Sequence, residues 1–456
     1  MIRRAAACVA LCVVVGCTSS PPSASASPTS ASAAPTASPA ISSDWVQYHR
    51  DAGRSGVGSS DPGLGSPRVA WSFSVDGDLY ASPLIAEGHV IVATENNTVY
   101  SLDVFTGAVV WSRHLGDPVD SSTLPCGNIR PVSGITSTPA IDVASGRVYA
   151  VAFLRSHHHV LFALRLVDGA VAWQQDIDPP GSDPSAQQLR GALAIGSGFV
   201  YVPYGGLFGD CGNYRGYVVA VPLAGGQSRV FRVAASRGAS IWAPGGPVIG
   251  PDGSVYVVTG NAIGSGFGYS DSVLQLSPDV LTLRSYFAPS NWQALNDGDI
   301  DLGSVGATVL PSIDRVFVVG KEGVAYLLAA GKLGEIGGQI TSRRLCSGAY
   351  GGTSFVGSTV YVPCTDGLYA VRVSASAIDV AWRVSHPADG SPIVAAGAVW
   401  VVEPSSGTLF ALDPANGKAL YSTRLGGATR FGTPAATDGY VVAPAGRKVV
   451  AVSVTG

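Results

Sequence analysis

Val90-Ile91-Val92-Ala93-Thr94-Glu95-Asn96-Asn97-Thr98-Val99-Tyr100-Ser101-Leu102-Asp103-Val104-Phe105-Thr106-Gly107-Ala108-Val109-Val110-Trp111 is a series of apolar, β-branched runs separated by turn residues. Glu95-Asn96-Asn97 and Thr106-Gly107 mark the turns, because tight hairpins need residues that tolerate positive φ. The same text returns along the chain. Val148-Tyr149-Ala150-Val151 is followed by Val160-Leu161-Phe162-Ala163-Leu164, and Val200-Tyr201-Val202 by Tyr217-Val218-Val219-Ala220. Val255-Tyr256-Val257 precedes Val273-Leu274-Gln275-Leu276, and Val316-Phe317-Val318 precedes Val324-Ala325-Tyr326-Leu327. Val360-Tyr361-Val362 with Leu368-Tyr369-Ala370-Val371, Val399-Trp400-Val401 with Leu409-Phe410-Ala411-Leu412, and Tyr440-Val441-Val442 with Val449-Val450-Ala451-Val452 bring the copies to eight. A strand pair repeated in this way is one supersecondary unit that buries its faces only against its neighbours.

Read outward, the first copy gives strand a over Ser82–Ala86, b over Val90–Thr94, c over Val99–Asp103 and d over Ala108–His114. Four such antiparallel strands make a propeller blade. Strand d often carries an aromatic, as at Trp111, Trp173, Trp382 and Tyr421, which reads as packing between blades rather than a cofactor contact. The last copy ends without a strand d. Val69-Ala70-Trp71 matches Val171-Ala172-Trp173 and Val380-Ala381-Trp382, so the N-terminal strand can complete it and remove two sheet edges. The expected fold is therefore all-β, an eight-bladed β-propeller over residues 44–456 closed by that strand, with seven blades as the alternative.

Residues 1–16 read as a lipoprotein signal peptide: Arg3-Arg4, an apolar stretch from Ala5 to Val15, then small residues before Cys17. That stretch is shorter than the about 20 residues that cross a bilayer. Cys17 is the expected lipid anchor, and residues 17–43 the lipidated cysteine with a disordered Ser/Ala/Pro tether. The expected place is extracytoplasmic, on the bacterial cell membrane, or the outer membrane if the host has one. The net charge of −3, or −5 once Arg3 and Arg4 are removed, offers no footprint for nucleic acid. Cys126, Cys211, Cys346 and Cys364 are an even set in an exported chain, which argues for two disulfides. In a propeller the d–a and b–c loops open on one face, and all four cysteines fall there. Cys346 with Cys364 is the local pair, leaving Cys126 with Cys211. The long loops Gly116 to Ile135, Tyr204 to Gly216, Asn261 to Asp271 and Ala288 to Asp301 share that face, which is expected to bind an unknown protein or small-molecule ligand.

Val99 to Trp111, echoed by Leu409-Phe410-Ala411-Leu412-Asp413-Pro414-Ala415-Asn416-Gly417-Lys418, resembles the PQQ-like propeller repeat family. That family includes quinoprotein alcohol dehydrogenases and BamB-type outer-membrane assembly scaffolds. The resemblance to the dehydrogenases implies roles residue by residue. Trp242 would be the floor on which a quinone stacks, and Asn261 of Gly260-Asn261 a calcium ligand. Asp301 or Asp299 would be the catalytic aspartate, and Lys321 of Gly320-Lys321-Glu322-Gly323 the quinone's cation. Asp210 alone could substitute for the second calcium ligand, usually a Glu. The chain departs from those enzymes in lacking adjacent cysteines and a Cys-x-x-Cys-His haem motif.

Two further patterns bear on metals. His157-His158-His159 would put the first and third rings on one face of a strand, where they could converge on a metal, although a solvated loop is the simpler reading. Asp297, Asp299 and Asp301 alternate like the start of a calcium loop, but Leu302 stands where such a loop needs Gly. The reading that leads is a non-enzymatic, lipid-anchored binding or scaffold protein with no cofactor, suggested for envelope assembly by the resemblance. The alternative is a PQQ- and Ca²⁺-dependent dehydrogenase of an alcohol or sugar.

Overall fold

The computed structural model describes residues 43–60, 62–264 and 266–455. Cys17, expected to carry the anchor, the expected signal segment and nearly all of the expected tether lie outside them. Strands fold into eight sheets of four or five strands, and in all but the last blade they pair in sequence order from a to d. In the first blade the strands are Leu84–Ala86, His89–Ala93, Thr98–Asp103 and Val109–His114, each within two residues of the sequence expectation. Strands b and c are covered on both sides by neighbouring blades, so they read as unbroken apolar runs. All six inner residues of Arg147–Leu154 are buried, whereas the outer strand Val171–Asp176 has none buried. Among the described residues the longest helix is the six-residue turn Trp292–Asp297, and no helix is long and apolar enough to cross a membrane.

The ring closes as expected. Arg68–Ser74 lies antiparallel to Lys448–Ser453, with Trp71 opposite Ala451 and Ser72 opposite Val450. The outer-strand tryptophans then join blade to blade. Trp71 Nε1 donates to Val104 O (2.9 Å), Trp111 Nε1 to Leu166 O (2.8 Å) and Trp382 Nε1 to Pro414 O (2.8 Å), each on the c–d turn of the next blade. The rings of Trp71 and Trp111 lie flat against Gly107 and Gly169, where a Cβ would come within 2.6 and 2.4 Å. Both glycines also have positive φ (+71° and +66°), so two independent requirements exclude a side chain. Tyr421, expected at such a joint, meets Trp400 of its own blade edge to face at 6.2 Å.

A strap that the repeat pattern does not reveal fills the channel. Residues 44–59 wind around the axis and bond to the far ends of the innermost strands. Ile85 exchanges bonds with Trp45, Ile141 N donates to Val46 O, and Ile195 N donates to Gln47 Oε1. Ile249 N donates to Ala52 O, Phe355 N to Ser55 O and Val394 N to Gly56 O. Six blades are thus tied by one segment. Innermost strands would otherwise present unpaired backbone to the channel, and the strap satisfies it. Trp45, Tyr48, His49 and Arg54 of the strap are all buried.

Candidate functional site

On the face opposite the strap's contacts, the d–a crossings and b–c turns surround an axial pocket of about 420 Å³. Four loops set its working corner. Trp242 comes from the crossing into blade four and Asn261 from that blade's b–c turn; Asp301 comes from the crossing into blade five and Lys321 from its b–c turn. Asp301 is 3 % exposed. Its Oδ1 accepts from the Asn261 backbone N–H at 2.6 Å, and its Oδ2 lies 2.8 Å from Lys321 Nζ. Lys321 Nζ also reaches Asp299 Oδ1 at 2.8 Å and stands 5.7 Å from the centre of the Trp242 ring. A side chain at 260 would put its Cβ 2.6 Å from Asp301 Oδ1 and 3.1 Å from Trp242 Nε1, which accounts for the Gly before Asn261.

Burial pushes the Asp301 carboxyl above its ordinary pKa, against the pull of Lys321 and the Asn261 N–H. For Lys321 burial acts the other way, but Asp301 and Asp299 outweigh it and its pKa is raised. The corner is a compensated ion pair with an acid held ready to accept a proton.

Asp210 lines the same pocket, with Oδ1 accepting from the Tyr214 hydroxyl at 2.5 Å. Of the three alternating acids, Asp299 and Asp301 meet at Lys321, while Asp297 ends the short helix and faces a different groove. His157 and His159 do not converge; His158 and His159 instead share Asp178. His157 Nε2 lies 2.9 Å from Thr123 Oγ1. His159 is stacked on Phe153 at 4.2 Å, with Nδ1 2.8 Å from Asp178 Oδ1. His158 alone stands between Asp176 and Asp178, at 3.1 and 3.2 Å. Cys126 pairs with Cys211 (Cα–Cα 6.1 Å) and Cys346 with Cys364 (6.2 Å), the first tying the insert after blade one to the b–c loop of blade three.

Several site residues carry no motif. Arg190 and Arg430 enter the pocket from the crossings into blades three and eight, and neither guanidinium has a hydrogen-bond or ion-pair partner among the described residues. Arg430 lies 4.7 Å from the Tyr350 ring centre and 5.2 Å from that of Phe431, and Arg190 5.6 Å from Phe431. Their detectable signal is register: each precedes by four or five residues the start of an innermost strand, as Tyr80 and Tyr350 do by four.

Two buried acids stand behind the wall. Glu95 accepts from Gly134 N–H at 2.7 Å and is pushed up to about 7 by burial. Asp271 is fully buried, with one oxygen on Leu302 N–H at 3.0 Å and Oδ2 without a partner. Burial first, and the Asp301 charge next, raise it to about 8.

The sign of the Asp271 effect on stability follows. An unfolded Asp titrates near 3.9, so between roughly pH 4 and 8 the folded chain keeps a proton the unfolded chain has lost. Stability therefore falls across that window, by up to about 1.4 kcal/mol per pH unit. Asp271→Asn has no such proton to lose. Urea unfolding with chelator present should show the variant declining less than wild type between pH 5 and 8. Parallel declines would remove the assignment.

Comparison with known proteins agrees with this architecture. The family model described as outer membrane protein assembly factor BamB matches residues 65–270 and 322–456. A polyvinylalcohol dehydrogenase of a Pseudomonas species is 24 % identical over an alignment of 425 positions that covers 78 % of this chain. The chain spans 62 % of that relative's length. Among solved structures, the quinohemoprotein alcohol dehydrogenase of Comamonas testosteroni superposes with a TM-score of 0.72 at 16 % identity, covering 91 % of this chain and 81 % of that one. A europium-containing methanol dehydrogenase gives 0.70 at 15 %, covering 90 % and 98 %. At such identities the structural likeness concerns the fold.

Proposed function

The chain belongs to the PQQ-like propeller family, and from that premise we propose that it is a dehydrogenase using pyrroloquinoline quinone and a hard cation to oxidise an alcohol. The observation that carries this reading is the meeting of Trp242, Asn261, Asp301 and Lys321, drawn from four loops, at one corner of the axial pocket. The BamB-type match leaves out 271–321, and that stretch holds Asp299, Asp301 and Lys321.

The residues present fit the group. Trp242 offers a flat face, and the unpaired Arg190 and Arg430 offer counter-charges for the carboxylates of an anionic quinone. A hard cation takes oxygen ligands, and the Asn261 side-chain amide, which has no partner among the described residues, lines the pocket with Asp299 and Asp210, which could complete the set and leave Asp301 free as a base. When bound, the quinone supplies the two-electron acceptor and the cation polarises its carbonyl. Asp301 takes the hydroxyl proton of the alcohol, for which a raised pKa makes it the stronger base. Lys321 holds Asp301 Oδ2 and keeps the carboxylate aimed.

A binding module without chemistry is the second reading, supported by the description of the matched family. One experiment separates them. The full chain is titrated with pyrroloquinoline quinone while tryptophan emission is followed, with Ca²⁺ or La³⁺ present, and dye-linked oxidation of alcohols and sugars is then measured. Quenching together with turnover is expected. Neither quenching nor turnover with either ion leaves the scaffold reading in place.

A further inference from the structure

A second cavity adjoins the axial pocket at Asn261. A groove of about 530 Å³ runs over blade four, between the segment Asn261–Gly264 and the short helix Trp292–Asp297, and Asn261 lines both spaces. Its lining offers polar groups that the protein leaves to solvent. Asn296 Oδ1 is held by the Ala262 N–H at 2.6 Å, which fixes that amide and leaves Nδ2 to donate elsewhere. Asn296 Nδ2, the side-chain amides of Asn261 and Gln293, the Asp297 carboxylate and the Trp292 indole N–H have no hydrogen-bond partner among the described residues. Trp292 is propped edge to face on Phe267 at 5.0 Å and is only half-buried, so part of its ring is open to the groove.

Amides and a carboxylate beside an aromatic ring present donors, acceptors and an apolar face together. A purely apolar occupant would leave those polar groups desolvated and unpaired, at about 1–3 kcal/mol each. An anionic occupant would meet Asp297. A chain bearing repeated hydroxyls satisfies the set, its C–H faces on the ring and its hydroxyls on the amides.

We propose that this groove binds the body of a polyhydroxylated chain whose reacting hydroxyl reaches the axial pocket past Asn261. The inference rests on the dehydrogenase reading for what happens in the axial pocket, but the groove's binding can be measured without it. Isothermal titration of the full chain, free of cofactor, with maltotriose and with short poly(vinyl alcohol) oligomers is expected to show binding. Trp292→Ala should weaken it about tenfold or more, roughly 1.4 kcal/mol. Gln293→Leu, at an exposed position, should weaken it as well and guards against a folding defect in the tryptophan variant. In the loaded protein kcat/KM should rise from ethanol to the longer probe, and that advantage should collapse in Trp292→Ala.

The outcomes separate the two claims. Binding lost in the variants with no oxidation of any alcohol upholds the groove and sinks the dehydrogenase. Ethanol oxidation with no binding of either probe, and no gain with length, overturns the groove alone. Binding of only one probe upholds the groove and identifies its occupant as a sugar chain or an aliphatic polyol.

Discussion

Asp301→Asn is expected to lower kcat for alcohol oxidation by about 10²–10⁴-fold, the range that a positioned general base contributes. The substitution keeps the shape and can keep the bond from the Asn261 N–H, but it leaves no carboxylate to receive a proton and no anion for Lys321. Quenching of tryptophan emission by pyrroloquinoline quinone should persist, because Trp242, Arg190 and Arg430 are untouched. The pH dependence gives a sharper test than the rate loss. Burial raises the Asp301 pKa, and a base works only when ionised, so wild-type kcat/KM climbs as pH rises through that elevated pKa. Lys321 is the cation favouring the carboxylate. Lys321→Met should therefore move the acid limb to still higher pH, whereas Lys321→Arg should leave it nearly in place. A limb that stays put in Lys321→Met, or full activity in Asp301→Asn, would assign the proton to another group.

How far the molecule could be read from its residues depends on which physical rule each part obeys. The blades were legible because strands b and c are covered on both faces and must be apolar throughout, so the pattern survives in every copy. Ring closure was legible for a related reason: Val69-Ala70-Trp71 carries the outer-strand text and docks its indole on the next c–d turn as Trp111 and Trp382 do. Trp242, Asn261, Asp301 and Lys321 came from a family resemblance, and geometry brings them together.

Arg190 and Arg430 escaped because an axial site is assembled by radius, not by proximity in the chain; 240 residues separate two side chains that reach the same ring of Phe431. Asp271 escaped because the apolar surroundings that shift it belong to the folded state alone. His157 and His159 do not share a strand face because His157 adopts positive φ (59°), which breaks the alternation such a pairing requires. The strap escaped for the opposite reason to the blades. It pairs mainly through backbone groups, which any sequence possesses.

The second large effect concerns that strap. Arg54→Met is expected to destabilise the protein by about 3–5 kcal/mol, because three buried carbonyls lose their donor at about 1–3 kcal/mol each and the loss of the buried charge offsets part of that. Arg54 is 5 % exposed, and its guanidinium donates to three carbonyls: Pro247 at 3.2 Å, Tyr48 at 3.1 Å and Leu193 at 2.8 Å. Leu193 and Pro247 lie at the innermost strands of blades three and four, so one side chain joins the strap to both. Its charge is not favoured for its own sake. Burial lowers its pKa from 12.5 to about 10, against the pull of Asp51, a cost of about 3 kcal/mol to the charged form at 1.36 kcal/mol per unit. Three hydrogen bonds from a charged donor, each about 1.5–3 kcal/mol, exceed that cost, and methionine would leave all three carbonyls buried without a donor.

Urea unfolding should show the lower midpoint in Arg54→Met, and Arg54→Lys should fall between the two because an ammonium cannot span three carbonyls with one fork. Hydrogen exchange identifies the origin of the loss. The amides of Ile249, Phe355 and Val394, which donate to strap carbonyls, should lose protection before those of the blade interiors such as Val362. Uniform loss across the blades would mean that Arg54 supports the ring as a whole, and an unchanged midpoint would mean that the strap is held by its backbone alone.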